Sequence, residues 1–161
     1  EQEEGRVAVR KLRERFDRLR RECSAHPPVS TLIVRDENGR DVIGPGNFLN
    51  DILKIINAPN AAASLGKAYP SIDREKLASL APQAVIVLLP EARAQTLEPA
   101  RRFWASVPEL PAVKNNRVYI MTEGYALVPG PRVADLAEKM ADLLHPPAAA
   151  APTTKPKPKQ P

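Results

Sequence analysis

Three short runs of β-branched and aliphatic residues constrain the fold of this chain more than any other feature of its sequence. They lie at 29–35, 84–89 and 117–121 and read VSTLIVR, AVIVLL and RVYIM. Their nearly continuous apolar character is typical of strands covered on both faces. Because the intervals between them are long enough to hold helices, we expect an α/β fold, a three-layer lobe with a mostly parallel central sheet.

Apolar residues at helical spacing predict the elements around these strands. In 4–24, four of them (Leu12, Phe16, Leu19 and Cys23) form one stripe on an otherwise charged helix. A second helix is predicted at 48–57, and Asp73 is a suitable N-cap for a short third one. Later helices are predicted from Glu98 to about Ser106, with Phe103 and the core residue Trp104, and along the stripe from Val133 to Leu144.

The distribution of charge and proline divides the chain into three parts. Residues 1–26 are a charged helix, 27–146 an α/β lobe, and 147–161 a Pro/Ala/Lys-rich tail expected to be disordered or extended. The formal net charge of +5 comes from the two ends, because residues 23–154 carry thirteen basic and thirteen acidic side chains. A neutral lobe argues against nucleic acid as a partner.

Several classes of protein are disfavoured by what the sequence lacks. Cys23 is the only cysteine, which excludes an intramolecular disulfide and a cysteine-based metal cluster. No apolar run reaches the roughly 18 residues of a membrane span. The chain opens on EQEEGRVAVR, without Met or the apolar region of a signal peptide, and we therefore expect it to be part of a longer protein.

An enzyme on a doubly wound fold is one alternative, and an envelope interaction module tethered by the tail is another. The sequence contains no G-x-S-x-G motif and no evident Ser-His-Asp set. Carboxylates follow the strands at Asp36, Glu91 and Glu123, but acid–base chemistry would require the fold to pair them. His26 and His145 lack further ligands at metal-binding spacing, so no metal site is expected.

Ligands of parallel sheets bind at the carboxyl ends of the strands. In this chain the loops at those ends are 36–47, 90–97 and 122–131, and the segment 61–70 is expected to join them.

Four segments in order resemble one protein family. They are GNFLNDILKIINAPNAAA (46–63), YPSIDREKLASLAPQAVIVLL (69–89), FWASVPELPAVKNNRVYIM (103–121) and PGPRVADLAEKMADLLHP (129–146). Together they are similar to the C-terminal lobe of periplasmic substrate-binding proteins of ABC importers, of the class that delivers iron siderophores, haem or cobalamin. Residues 4–24 are similar to the end of the helix that joins the two lobes. Gln83 departs from the pattern, since the family usually has Asp there.

The resemblance implies a function in import and no catalysis. The protein would be periplasmic or anchored outside the cytoplasm, without an enzymatic cofactor. Its ligand would be a ferric siderophore, haem or cobalamin, bound between this lobe and an N-terminal lobe that lies outside this chain. Its protein partners would be the membrane permease subunits of the importer.

The resemblance also suggests residue roles. Glu75 matches the position at which the C-terminal lobe presents a carboxylate to the permease, although it could act only on the positive end of its own helix. Tyr69 and Tyr125, on cleft loops, are candidates to pack against a corrin, a porphyrin or a catecholate, or else against their own loops.

Four further residues are candidates for polar contacts with the ligand. Arg35 and Arg132 could face an anionic chelate, while Arg132 could instead brace its loop. Gly46 and Asn47 could present backbone N–H groups to a ligand oxygen at the start of the second helix, or form a plain tight turn. Leu49 stands where a phosphate-binding G-x-G-x-x-G motif would have its third glycine.

Overall fold

The computed structural model describes residues 2–90 and 97–147. Its elements in chain order are α1 (Gln2–Ser24), β1 (Thr31–Val34), α2 (Phe48–Ile55), a 3-10 turn (Ala63–Leu65), α3 (Arg74–Leu80), β2 (Ala84–Leu88), α4 (Glu98–Ala105), α5 (Pro111–Lys114), β3 (Val118–Met121) and α6 (Val133–Leu144).

The three strands form one parallel sheet in the order β1-β2-β3. Ile33 of β1 lies opposite Ile86 of β2, which lies opposite Tyr119 of β3. The predicted α/β fold with a parallel central sheet is therefore confirmed. Each strand is shorter than the apolar run that predicted it, although flanking residues still bond to the neighbouring strand: Val85 N donates to Arg117 O and Leu89 N donates to Met121 O, each at 2.9 Å.

Successive side chains of each strand point to opposite faces of the sheet, and the core is therefore divided into two layers. Ile33, Ile86 and Met121 point to a front layer that contains α1, α2 and α6. Residues at neighbouring positions, such as Leu32 and Val85, point to a back layer built by α3, α4 and α5. A strand buried on both sides needs apolar residues at successive positions, which explains the unbroken runs in the sequence.

Individual helix predictions agree with the structure in most details. The Asp73 side chain accepts a hydrogen bond from the Lys76 backbone N–H and caps α3 as predicted. Trp104 is only 4% exposed in the back layer, which confirms its assignment to the core. The four-residue helix α5, which begins at Pro111, was not predicted, because one turn carries too little periodicity to be recognised.

Two predicted regions lie largely or wholly outside the described residues. They are the tail from 147 onward, of which only Pro147 is described, and most of the loop at 90–97. No helix within 2–90 and 97–147 has both the length and the apolar character needed to cross a bilayer.

Candidate functional site

The candidate site lies at the edge of the sheet where all three strands end. The loops that leave β1 and β3 begin at Arg35 and Thr122, on this edge. The segment 68–72 returns to the same edge, because it exchanges backbone hydrogen bonds with 40–44. In two of these bonds, Gly44 N donates to Ala68 O at 2.9 Å and Ile72 N donates to Arg40 O at 2.9 Å. The pairing places Tyr69 beside the first loop, as predicted.

Arg35 and Tyr69 form the first of two arginine–tyrosine stacks. The guanidinium carbon of Arg35 lies 4.5 Å from the centre of the Tyr69 ring. Asp41 holds the same guanidinium, since Arg35 Nη2 donates to Asp41 Oδ1 at 2.9 Å. Arg35 Nε is buried and has no hydrogen-bond partner among the described residues. With 53% of its surface exposed, Tyr69 is open to contact from outside the lobe.

Arg132 and Tyr125 form the second stack, on the loop after β3. The guanidinium carbon of Arg132 lies 3.8 Å from the centre of the Tyr125 ring. Tyr125 is half-buried against the front core, whereas the Arg132 side chain is 63% exposed. This arrangement is compatible with both roles expected for Arg132, bracing its loop and facing an anionic ligand. Arg132 braces the loop by packing on the Tyr125 ring, and much of its side chain stays in solvent.

The segment 44–47 forms a tight turn in which both the oxygen and the nitrogen of the Asn47 side chain are hydrogen-bonded. Asn47 caps α2 by accepting from the Asn50 backbone N–H at 3.0 Å. Its amide nitrogen donates to Gly44 O at 3.0 Å and to Ala68 O at 3.1 Å. Gly46 adopts a left-handed φ of 84° and is exposed. These contacts account for both residues as parts of a turn, and their contact with a ligand stays a prediction.

Glu75 is exposed in the first turn of α3. It makes no ion pair with any residue of the described part of the chain. A groove of about 710 Å³ opens nearby between the loop 38–40, the start of α3 at Asp73, and Phe103. Gly39 makes the loop's approach possible, because a Cβ there would lie 2.9 Å from the Phe103 ring. Sequence reasoning did not anticipate this groove, since its walls come from three separate segments.

A cluster of charged residues between α1 and α6 was also missed. Arg15 donates to Asp135 and to Glu138, and Arg18 donates to Glu138. The hydrogen bonds from Arg15 hold the carboxyl pKa values of Asp135 and Glu138 below their ordinary range. The spacing of Arg132, Asp135 and Glu138 along one helix was visible in the sequence, but their proximity to α1 was not.

The carboxylates considered for acid–base chemistry have structural partners where they are described. Asp36 accepts from the Arg40 backbone N–H at 3.0 Å and closes the turn after β1. Glu123 is ion-paired with Lys139, and its Oε2 is buried without a hydrogen-bond partner among the described residues. Glu91 lies outside the described residues. These contacts show no acid–base pair between Asp36 and Glu123.

Gln83 and the two histidines lie away from the candidate site. Gln83 Oε1 accepts from the Ser30 backbone N–H at 2.8 Å, at the amino ends of β1 and β2. This is the end of the sheet opposite the candidate site, so the departure from the family pattern does not alter the loops there. His26 and His145 stack at 5.2 Å near the ends of α1 and α6.

Comparison with known proteins agrees with this architecture. The family model described as "Periplasmic binding protein" matches residues 1–125. An uncharacterised ABC transporter substrate-binding lipoprotein, YvrC of Bacillus subtilis (strain 168), is 32% identical over 103 residues. That match covers 64% of this chain and 31% of the relative.

Two solved structures share the fold at low sequence identity. One is an ABC-type Fe³⁺-hydroxamate transport system from Saccharomonospora viridis (TM-score 0.78, 15% identity, 89% of this chain and 50% of that one). The other is the periplasmic vitamin B12 binding protein BtuF of Vibrio cholerae (TM-score 0.72, 22% identity, 87% of this chain and 53% of that one). This chain thus spans about half the length of these solved relatives and less than a third of the curated one. By its sequence match and its fold, the chain belongs to the periplasmic binding protein family.

Proposed function

We propose that the protein is the substrate-binding component of an ABC importer for an iron chelate or cobalamin. This chain would contribute one half of the ligand cleft, and a second lobe outside it would contribute the other half. The observation that carries the proposal is the presence of two arginine–tyrosine stacks at the carboxyl edge of the sheet. They are Arg35 with Tyr69 and Arg132 with Tyr125.

The chemistry of the two stacks suits a large ligand that has both flat and anionic parts. A tyrosine ring offers an apolar face to a corrin, a porphyrin or a catecholate. A guanidinium beside it offers several N–H donors to carboxylate or hydroxamate oxygens. The two solved relatives, an Fe³⁺-hydroxamate transport system and a vitamin B12 binding protein, support a chelate of this kind.

The family and the lipoprotein relative support a location outside the cytoplasm, in the periplasm or at the outer face of the membrane. In that compartment the protein would deliver its ligand to the permease subunits of the importer. No catalytic step is part of this proposal, and the chelate would be cargo, not a resident cofactor. Helix α1 would join the lobes stiffly enough that modest hinge motion suffices for capture and release.

Ligand binding is tested by thermal unfolding of this chain and of a form extended at its amino end to include a second lobe. The ligands are haemin, cyanocobalamin and a panel of ferric siderophores. At 100 times its dissociation constant, the true ligand should stabilise the extended form by about 2.7 kcal/mol. This chain alone should respond much less, because it holds half of the site. If the extended form responds to none of the ligands, the proposal fails.

The role of Tyr69 is tested in the extended form by Tyr69→Ala. Loss of an exposed stacking surface should weaken ligand binding by up to about tenfold, the equivalent of about 1.4 kcal/mol. Tyr119→Phe is the control, since Tyr119 lies within β3, opposite Ile86 and two residues before the carboxyl end of the strand. Isothermal titration should show unchanged affinity for the control. Equal affinities of Tyr69→Ala and the unchanged protein would remove Tyr69 from the site.

Glu75 is proposed to dock on a basic part of the permease. Glu75→Lys should reduce ligand-stimulated ATP hydrolysis by the reconstituted importer about tenfold or more, while ligand affinity stays unchanged. Glu98→Lys is the matched control, because Glu98 is also an exposed glutamate in the first turn of a helix. If both variants reduce the stimulated activity equally, the effect is one of net charge and Glu75 has no specific docking role.

A further inference from the structure

Asp135 lies between a guanidinium of α1 and a guanidinium of the candidate cleft. Its Oδ1 accepts from Arg15 Nη2 at 2.6 Å. Its Oδ2 faces Arg132 Nε at 3.5 Å. Arg132 in turn stacks on Tyr125. One carboxylate therefore joins α1 to the second arginine–tyrosine stack through a continuous series of contacts.

The two guanidinium groups do not share Asp135 equally. The contact with Arg15 is 0.9 Å shorter than the contact with Arg132, and the Arg15 side chain is 33% exposed where that of Arg132 is 63% exposed. Charge-assisted hydrogen bonds weaken steeply with distance, and screening by water weakens the exposed pair further. Most of the interaction of the carboxylate is thus with Arg15, and Arg132 is held only at the edge of the pair.

We propose that Asp135 is a positioning residue of the proposed cleft, which orients the Arg132 guanidinium over the Tyr125 ring. Arg15 would pair with most of the Asp135 charge, so that Asp135 does not neutralise Arg132. Arg132 would then be ordered before the ligand arrives and would still carry a charge available to an anionic group. Ordering a donor in advance lowers the entropic cost of binding. The inference deepens the proposed function and rests on it, because it assigns to Arg132 the carboxylate or hydroxamate oxygens of the chelate.

The structure offers matched variants for each half of the proposal. Asp135→Asn removes the charge that orients Arg132 and keeps the shape of the side chain. Its control is Glu138→Gln, because Glu138 also accepts from Arg15 but makes no contact with Arg132. Arg15→Gln frees Asp135 to pair with Arg132. Its control is Arg18→Gln, since Arg18 reaches Glu138 and not Asp135.

Orientation is measured without any ligand, by NMR of the arginine Nε–Hε groups in the 161-residue chain. The ring current of Tyr125 should shift the Arg132 signal upfield, and Tyr125→Leu should abolish that shift and so identify it. Asp135→Asn should lose the shift, while Glu138→Gln should keep it. Retention of the shift in Asp135→Asn, or an equal loss in Glu138→Gln, would overturn the positioning role.

The availability of the Arg132 charge to an anion is measured by titrating the chain with citrate, a small tricarboxylate, while following the same Arg132 signal. Arg15→Gln should weaken citrate binding roughly threefold, the size expected for one exposed charge pair. Arg18→Gln removes the same charge from α1 and should bind citrate as well as the unchanged chain does. Equal weakening of citrate binding by the two variants would show an effect of net charge only and would overturn the role proposed for Arg15. Neither measurement uses a chelate, and failure here is distinct from failure of the proposed function.

Discussion

Gly44 shows how one residue sets the position of Tyr69. Gly44 N donates to Ala68 O, and a Cβ on Gly44 would overlap the Lys67 carbonyl. Only glycine allows the segment before Tyr69 to approach the loop after β1 this closely. The Gly44-Pro45-Gly46 sequence predicted a turn, but the close approach of residues more than twenty positions later could not be read from it.

Gly44→Ala is expected to destabilise the lobe by about 1–3 kcal/mol, because backbone atoms must move to admit the methyl group. Urea unfolding measures the change. Gly130→Ala is the control, since Gly130 has open space around its Cβ position and no positive φ. It should change stability by less than about 0.5 kcal/mol. Comparable stability of the two variants would show that the 66–70 segment is not fixed by Gly44.

At the scale of elements, the N-cap of helix α2 connects the helix to the segment that carries Tyr69. The apolar periodicity of 48–57 predicted this helix, and the structure places it at Phe48–Ile55. Asn47 is a favoured N-cap residue, and its bond to the Asn50 N–H is local. Its two donations to Gly44 O and Ala68 O also connect the helix start to the segment that carries Tyr69. Periodicity and local capping preferences reveal elements, but not which distant loops they join.

The two roles of Asn47 are separated by replacing it with serine and with alanine. Serine retains a cap acceptor and loses both donations, which should cost about 1–2 kcal/mol. Alanine also loses the cap, which should cost about 1 kcal/mol more. Chemical denaturation should therefore give the unchanged chain the highest free energy of unfolding, Asn47→Ser a lower one and Asn47→Ala the lowest. Equal stability of the serine variant and the unchanged chain would mean that the amide donations contribute nothing.

At the scale of the whole molecule, the ends of α1, α2 and α6 meet at a pair of histidines. His145 Nε2 lies 2.8 Å from Ile56 O, and Arg117 donates to Leu144 O at 2.6 Å. Burial lowers the pKa of His145 below its ordinary value of 6.5, and the nearby His26 and Arg117 lower it further, while the Ile56 carbonyl opposes the shift. Glu22 and Asp142 line the adjoining cavity.

A lowered histidine pKa makes the fold sensitive to mild acid. The unfolded chain takes up the proton near pH 6.5 and the folded chain only at lower pH, so stability is complete above 6.5 and declines as pH falls. His145→Gln keeps a side-chain N–H for Ile56 O and does not titrate. The free energy of unfolding should therefore fall less between pH 7 and pH 5 in this variant. Parallel curves for the two proteins would exclude His145 as the cause.

The carboxylates of α6 act in a lower range of pH. Hydrogen bonds from Arg15 lower the pKa values of Asp135 and Glu138 in the folded chain below their ordinary values of 3.8 and 4.5. The two carboxylates therefore contribute their full stabilisation above the ordinary values. That stabilisation is lost as pH falls through the lowered pKa values of the folded chain. The loss of stability that protonation of Asp135 and Glu138 causes at more acid pH should accordingly be the same in His145→Gln and in the unchanged chain, because both proteins keep Arg15 and the two carboxylates.

The sequence by itself determined the three strands, most of the helices and the edge of the sheet at which the loops of the candidate site lie. These features follow from periodicity over a few residues, and parallel strands bring their carboxyl ends to one edge whatever the loops contain. It also placed Tyr69, Tyr125, Arg35 and Arg132 on loops at that edge.

Only the tertiary structure decided which of these side chains meet. Arg35 stacks on Tyr69 across 34 positions, and Arg15 pairs with Asp135 across 120. Such contacts depend on how distant segments return to one another, and no local propensity encodes that path. The groove beside Phe103 and the shared carboxylate of Asp135 were invisible in the sequence for the same reason.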